Sequence, residues 1–169
     1  MFAASIDANT VTAIAACVAA LVALVAAIIA IWQVRFTTRV QALLQCDGTW
    51  TSETMLVTRR KAAASLLKGK PNPDVDRVLD FFETIAGLFV KRRWFFSVIP
   101  DDWARHTFYW HAVCYWSKSR DYIDIVRQRP TEHAAWEDLC SLIPRWIEAE
   151  GGPPTPKDID DFLADEQSA

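Results

Sequence analysis

An uncharged apolar stretch near the N-terminus constrains the fold of this chain more than any other feature. The stretch from Val11 to Trp32 is apolar apart from Thr12 and carries no charged side chain. As an α-helix it is about 33 Å long, enough to cross a hydrocarbon core of about 30 Å. A helix lying on a membrane surface needs a polar face, and this stretch has no periodic one. We therefore predict a transmembrane helix over residues 10–34.

The residues that flank the apolar stretch predict its orientation. Trp32 suits the headgroup level of a bilayer, and Arg35 and Arg39 follow within two helical turns. Residues 1–9 contain one Asp and no Lys or Arg, unlike the basic start of a cleaved signal peptide. The positive-inside rule then predicts a single-pass protein of a bacterial inner membrane. Membrane lipid is thus a predicted partner, with residues 1–9 outside the cell and the C-terminal domain in the cytoplasm.

A row of small residues runs along the predicted span. Ala15, Ala19, Ala23 and Ala27 recur at every fourth position and share one helix face. Small residues at this spacing let two helix backbones approach closely, so the row predicts self-association into a homo-oligomer. The alternative is that alanine, which is abundant in this stretch, serves as apolar filler.

The remainder of the chain has the pattern of an all-α domain. Over residues 35–150 apolar side chains recur at helical spacing, most clearly between Val75 and Phe89, and no run alternates as a strand would. This pattern predicts an antiparallel cytoplasmic helical bundle of four to six elements, with the Val75–Phe89 stretch at its centre. Residues 151–169 form a Pro/Gly linker and an acidic segment that either docks on the bundle or stays mobile.

Several local signals predict where the helices begin and end and how their polar residues are used. We expect the first helix to stop at Asp47-Gly48, and Asp74 and Thr131 to cap later helices. A break or kink is expected around Ser117 to Ser119. The basic run Arg59-Arg60-Lys61 is interpreted as a solvated face. Asp80 and Glu83 are expected to face solvent or to form ion pairs with Arg77 and neighbouring helices.

Patterns typical of common cofactor and metal chemistry are missing from the sequence. Five glycines are too few and too scattered for a phosphate-binding loop, and no Cys/His pair has zinc-binding spacing. We predict no cofactor and no metal site. The cysteines after the span, Cys46, Cys114 and Cys140, are expected to be buried free thiols in a reducing compartment. A net charge of −3 argues against nucleic acid as a partner.

Two Arg-x5-His pairs are the candidate catalytic groups: Arg105 with His111, and Arg127 with His133. Their spacing resembles the Arg-x(4–6)-His signature of the HEPN superfamily of helical ribonucleases. This resemblance implies a His that transfers protons at the RNA 2′-hydroxyl and an Arg that stabilises the phosphate. The alternative interpretation is structural: His111 is a half-buried partner on an aromatic helix, and His133 lies on the surface in the first turn of a helix.

Four short motifs carry a second resemblance. They are Trp50-Thr51-Ser52, the Arg-x-x-Ala stretch from Arg60 to Ala63, Leu79-Asp80-Phe81-Phe82-Glu83, and Tyr115-Trp116. With the N-terminal span they make residues 10–150 similar to a bacterial family of uncharacterised, single-pass, membrane-anchored helical proteins, a domain-of-unknown-function family. The chain departs from that family by having Arg92-Arg93-Trp94 where members often have a glycine after the central helix. The resemblance implies the fold and the topology, and it implies no activity.

These observations favour a protein that acts by binding. A membrane anchor joined to a bundle without an assembled catalytic pattern predicts a cytoplasmic interaction or regulatory module with an unknown protein partner. The alternative function is a membrane-tethered, HEPN-like ribonuclease.

Overall fold

The computed structural model of the chain describes residues 8–90 and 101–169. Within these ranges every regular element is an α-helix and no strand occurs, which confirms the predicted all-α fold class. The helices are α1 (Ala8–Trp50), α2 (Glu53–Leu67), α3 (Pro73–Val90), α4 (Asp101–Lys118), α5 (Arg120–Arg127), α6 (Glu137–Ala149) and α7 (Pro156–Ser168). Arg92-Arg93-Trp94, where the resembling family often has a glycine, lies outside the described residues.

The first helix is long and apolar enough to cross a membrane by its length and composition. Each side chain from Val11 to Thr38 is exposed. The helix continues two residues past the predicted stop at Gly48 and ends at Trp50. By its internal contacts the chain divides after Val40 into two compact units, and all further helices belong to the unit Gln41–Ala169.

Local capping explains the connection between α2 and α3. The Ser52 hydroxyl accepts a hydrogen bond from the N–H of Met55 at 3.3 Å and starts α2. At the other end, the N–H groups of Gly69 and Lys70 donate to the carbonyls of the last turn of α2, each at 3.0 Å. Gly69 adopts φ +65°, the left-handed conformation that such a helix end requires and that glycine adopts without strain.

The cap of α3 differs from the predicted one. Asn72, not Asp74, accepts hydrogen bonds from the first free N–H groups, those of Asp74 at 3.1 Å and Val75 at 3.2 Å. The physical reason is Pro73, which lacks an N–H and occupies the first helical position, so that the capping residue is the one before it.

The chain between α4 and α6 confirms one expectation and corrects another. The predicted break near Ser119 is present, because α4 ends at Lys118 and α5 begins at Arg120. The prediction that Thr131 caps a helix was wrong, since α6 begins at Glu137. Trp136 has φ +54°, outside the right-handed helical region, so a helix cannot run through it.

The residue before α6, Trp136, makes no capping hydrogen bond with its side chain, and Glu83 on α3 caps the helix instead. Its carboxylate accepts hydrogen bonds from the N–H groups of Asp138 at 3.1 Å and Leu139 at 2.7 Å, in the first turn of α6. One turn further along α3, a Cβ on Gly87 would lie 3.3 Å from Asp138 Oδ2, so the missing side chain lets α6 approach. A carboxylate at a helix N-terminus also interacts favourably with the helix dipole.

Asp80 is exposed, as expected, but neither Asp80 nor Glu83 forms the expected ion pair with Arg77. Asp80 accepts a hydrogen bond from the indole N–H of Trp136 at 2.8 Å, and Asp76 accepts one from the Tyr122 hydroxyl at 2.7 Å. Arg77 instead lies 3.4 Å from Asp74 on its own helix. Asp76 therefore binds α5, and Asp80 binds the residue that precedes α6.

The core confirms α3 as the central helix of the bundle. It packs against α2, α4 and α6, and its apolar face is buried. The largest fully buried side chains of the bundle include Trp146, Tyr115, Phe82 and Phe108. The acidic C-terminal segment docks, since α7 packs on α2 and α4 with Leu163 fully buried.

Replacing Glu83 by Ala is expected to lower the free energy of unfolding by about 1–2 kcal/mol, because two N–H groups at the start of α6 lose their acceptor. Denaturant unfolding of the full-length protein in detergent, followed by tryptophan fluorescence, measures this loss. Glu137→Ala is the matched control, since it removes an exposed carboxylate from the same helix turn. Equal losses for the two variants would contradict capping by Glu83.

Candidate functional site

A buried ion pair between α2 and α7 is the most unusual chemical feature of the bundle. Arg59 and Glu166 are only 9% and 8% exposed, although both are charged residue types that rarely become buried. Arg59 Nε donates to Glu166 Oε2 at 2.7 Å, and Arg59 Nη2 donates to Glu166 Oε1. The pair is thus bidentate, the strongest geometry for an arginine and a carboxylate.

Trp50 covers the guanidinium of Arg59. The guanidinium carbon lies 4.2 Å from the centroid of the Trp50 ring, a distance that gives a cation–π attraction. Arg59 Nη1 also donates to the backbone carbonyl of Trp50 at 3.4 Å. The end of α1 and the middle of α2 are therefore joined through this one side chain.

Helix α4 contributes Tyr115 and His111 to the same cluster. The Tyr115 hydroxyl donates to the carbonyl of Arg59 at 2.9 Å and lies 3.4 Å from Glu166 Oε2. His111 Nε2 lies 3.6 Å from Glu166 Oε1. The four side chains form what we call the Glu166 cluster: Arg59, His111, Tyr115 and Glu166.

Aromatic rings enclose His111 on two sides. Its ring meets Trp50 edge to face at 5.0 Å and Phe162 edge to face at 5.2 Å. The other ring nitrogen, Nδ1, is buried without a hydrogen-bond partner in the part of the chain that the structure describes. The imidazole is thus held by packing and by one carboxylate.

The surroundings of the cluster determine its protonation states. Burial opposes ionisation of Glu166, but the hydrogen bonds and charges of His111 and Arg59 outweigh it and lower the pKa of this carboxyl to about 2. Burial, and then the Glu166 charge, raise the pKa of Tyr115. The neighbouring thiol of Cys114 has its pKa raised to about 12, mainly by burial. At neutral pH Glu166 is ionised, whereas Tyr115 and Cys114 stay protonated, a state suited to holding helices together.

The sequence interpretation missed this cluster. Arg59 was assigned to a solvated face, which was wrong because Arg59 lies on the buried face of α2 together with Ala62, Ala63 and Leu66. That spacing of three, four and seven residues was the available signal. Glu166 had a similar signal, since it follows Ile159 by seven residues on the apolar face of the last segment.

The four candidate catalytic residues lie in different surroundings. Arg105 Nε is 3.0 Å from Glu150 Oε1, and His111 belongs to the Glu166 cluster. Arg127 and His133 are brought together, but through the backbone, because Arg127 Nε donates to the His133 carbonyl at 3.3 Å.

His133 does not occupy the first turn of a helix. It lies in the turn between α5 and α6, with its Nδ1 3.1 Å from the Pro130 carbonyl. Residues 8–90 and 101–169 contain no group of three or more His, Cys, Asp or Glu side chains arranged to hold a metal ion.

The predicted anchor residues all lie in α1. The side chains of Ala15, Ala19, Ala23, Ala27 and Arg35 are exposed. Trp32 is 43% exposed, and its ring stacks on Phe36 with centroids 5.8 Å apart. For Arg39 only the helical backbone is described.

The motifs that carry the family resemblance contact one another inside the bundle. Trp50 stacks on Phe81 at 4.9 Å and meets Phe82 at 5.0 Å, and Ala62 and Ala63 are fully buried in the same core. Together with the cap from Glu83 and the Tyr115 hydrogen bond, these contacts assign a packing role to each motif.

Comparison with known proteins gives one match. Residues 13–146 match the model of a family described as a domain of unknown function (DUF4760). No curated protein and no solved structure matches the chain.

Glu166→Gln is expected to destabilise the protein at neutral pH by about 3 kcal/mol. Because the pKa of Glu166 in the folded protein, about 2, lies below its ordinary value of 4.5, its ionic contribution is complete above the ordinary value. That contribution is lost as the pH falls towards 2. Unfolding of the full-length protein in detergent between pH 7 and pH 2 should show a shallower acid loss for Glu166→Gln than for the wild type.

Asp161→Asn is the control for this experiment, because Asp161 is an exposed carboxylate on the same helix. Its acid profile is expected to match that of the wild type. An unchanged acid loss in Glu166→Gln would remove Glu166 as its source.

Proposed function

Since this chain belongs to the DUF4760 family, whose function is unknown, we propose a role from its own geometry: a single-pass, membrane-anchored module that acts by binding proteins. The module self-associates through its anchor and presents its helical bundle at the cytoplasmic face of a bacterial inner membrane. The exposure of the apolar helix α1 is the observation that carries this proposal.

The exposed apolar side chains of α1 support its role as a membrane anchor. A core helix of a soluble protein buries its apolar side chains, whereas those of α1 are exposed from Val11 to the end of the apolar stretch at Trp32. A continuous apolar surface of this kind marks contact with a membrane or a partner. Its length matches a bilayer core, so the proposal assigns this surface to lipid.

The flanking residues support the orientation. Trp32 suits the interface, and Arg35 and Arg39 follow it on the side that leads to the bundle. Positive charges next to a span favour the cytoplasmic side, which puts residues 41–169 inside the cell in this proposal.

The polar chemistry of the bundle supports binding over catalysis. Glu83 and Asp80 are used by α6 and Trp136, and Glu166 is used by Arg59. A general base needs a pKa near the working pH, whereas the pKa of Glu166 is lowered to about 2. These three carboxylates are therefore committed to holding helices together.

No observation in the described part of the chain favours the ribonuclease hypothesis, which stays a prediction. His111 contacts the rings of Trp50 and Phe162, and its Nε2 lies 3.6 Å from a Glu166 carboxylate oxygen, not beside a free arginine. Arg127 contacts the backbone of His133, which leaves the imidazole oriented by the Pro130 carbonyl.

The anchor also offers a face for self-association. The row from Ala15 to Ala27 is exposed, and small residues at four-residue spacing permit close helix contact in lipid. Large side chains such as Leu21 and Val25 occupy the opposite side of the helix, so that the two faces differ in the distance of approach they allow.

A C-terminal epitope tag on the full-length chain is expected to be inaccessible to antibody in intact bacterial cells and accessible after permeabilisation. The chain should also remain in the membrane pellet after alkaline carbonate extraction. Val22→Arg/Val25→Arg is the control, since each central charge costs about 2.5–3.5 kcal/mol on insertion and should release the protein. A tag that is accessible on intact cells would overturn the orientation.

Two differently tagged copies are expected to co-purify from mild detergent, and Ala19→Ile/Ala23→Ile is expected to reduce their co-purification several-fold. The added methyl groups separate the two helix backbones at their closest approach. Leu21→Ala/Val25→Ala, on the opposite face, is the control and should leave co-purification unchanged. A chain that stays monomeric and captures no protein would refute the binding role.

A further inference from the structure

We propose that the groove between α2 and α4, which holds α7, receives the α7 helix of a second copy of this chain, so that two copies exchange their C-terminal helices. This inference rests on the proposed self-association and deepens it, because it names the surface and the partner segment. The argument combines the pattern of α7, the charge of the groove and the connection before α7.

Helix α7 has the pattern of a ligand that docks in a groove. One face of the helix begins at Ile159 and continues three, four and seven residues later with Phe162, Leu163 and Glu166. Leu163 and Glu166 are buried against the bundle, while Ile159 and Phe162 are partly buried. The helix therefore binds through three apolar anchors and one carboxylate.

The groove selects for that carboxylate. Arg59 is buried beneath Trp50 and Glu166, and its Nε and Nη2 groups donate to the Glu166 carboxylate. A helix without an acid at this position would leave a buried positive charge uncompensated, which is strongly unfavourable. The α7 helix of a second copy meets both demands of the site, an apolar face and a carboxylate one turn beyond it.

The construction of α7 allows it to move as a unit. Thr155 and Asp158 form a capping box, with the Thr155 N–H donating to Asp158 Oδ2 at 3.0 Å and the Asp158 N–H donating to the Thr155 hydroxyl at 3.2 Å. These bonds satisfy the start of the helix without any help from the bundle. The family match ends at Trp146, so α7 lies beyond the matched domain.

The connection before α7 has the composition of a hinge. Gly151 and Gly152 have φ values of +87° and +139°, and Pro153-Pro154 follows them. Glycines give access to several backbone conformations, whereas the two prolines favour an extended one. The N–H groups of Gly151 and Gly152 donate to carbonyls in the last turn of α6 at 3.2 Å and 3.0 Å. A rotation about ψ of Gly152 lies beyond both bonds, and it redirects α7 from its own bundle to that of a neighbour.

Exchange keeps every contact of α7, because the same face meets the same groove in either arrangement. The remaining cost is the entropy of bringing two copies together. An anchor that confines the chains to one membrane raises their effective concentration and lowers this cost. Exchange of an identical element is a general low-cost route to a dimer.

The ion pair between Lys118 of α4 and Asp160 of α7 offers a test that leaves the core intact, since the two side chains are 32% and 48% exposed. Full-length Lys118→Cys and Asp160→Cys chains with different tags are co-expressed, and the isolated membranes are treated with a short bismaleimide. Exchange predicts a product of twice the monomer mass that carries both tags. Lys118→Cys with Asp161→Cys is the control pair, because Asp161 is the next residue of α7 and is exposed. The two-tag product should be several-fold more abundant with Asp160→Cys than with this control.

Two controls make a negative result decisive. The double variant Lys118→Cys/Asp160→Cys in a single chain should cross-link internally or between copies, which shows that the reagent spans the pair. A mixture of wild-type copies gives the background from Cys17, Cys46 and Cys140. Internal cross-linking of the double variant together with no two-tag product above that background would overturn the exchange.

The outcomes also separate this inference from the proposed function. Copies that co-purify but give no cross-link between Lys118→Cys and Asp160→Cys associate without exchange, which overturns only the exchange. Copies that neither co-purify nor cross-link overturn both. Cross-linking that persists in Ala19→Ile/Ala23→Ile would show exchange independent of the anchor row.

Discussion

Five side chains from three helices meet the indole of Trp50, and the packing of residues 41–169 depends on this contact. Phe81 stacks on the indole, Phe82, Phe108 and His111 surround it, and the Arg59 guanidinium covers it. The same guanidinium binds Glu166, so the position of α7 is linked to the position of Trp50. A large ring that accepts both apolar and cationic neighbours allows a charged pair to form part of a small core.

Features encoded within a few residues of one another were predictable from the sequence. The uncharged stretch from Val11 to Trp32 forms part of a single helix, the stripe of α3 forms the centre of the bundle, and Gly69 ends α2. These outcomes follow from helical periodicity and from the backbone preferences of glycine, which act locally.

Features set by contacts distant in sequence were not predictable in the same way. Arg59 and Glu166 are 107 positions apart, and Glu83 binds N–H groups 55 and 56 positions later. Charged side chains alone give no indication of whether a partner will bury them. The failure at Thr131 has the same origin, because the indole of Trp136 bonds to Asp80 on another helix and the chain there does not form a helix.

The bond from Glu83 to the first turn of α6 has a consequence for how this fold can vary between relatives. Because a side chain of α3 sets the starting point of α6, the register between these helices does not depend on the length of the loop before Trp136. We therefore expect the core to tolerate insertions and deletions at residues 128–135, and not to tolerate a shift of a single residue within α3 between Asp80 and Gly87. Loop length here is free to diverge in evolution while the packed helices stay in place.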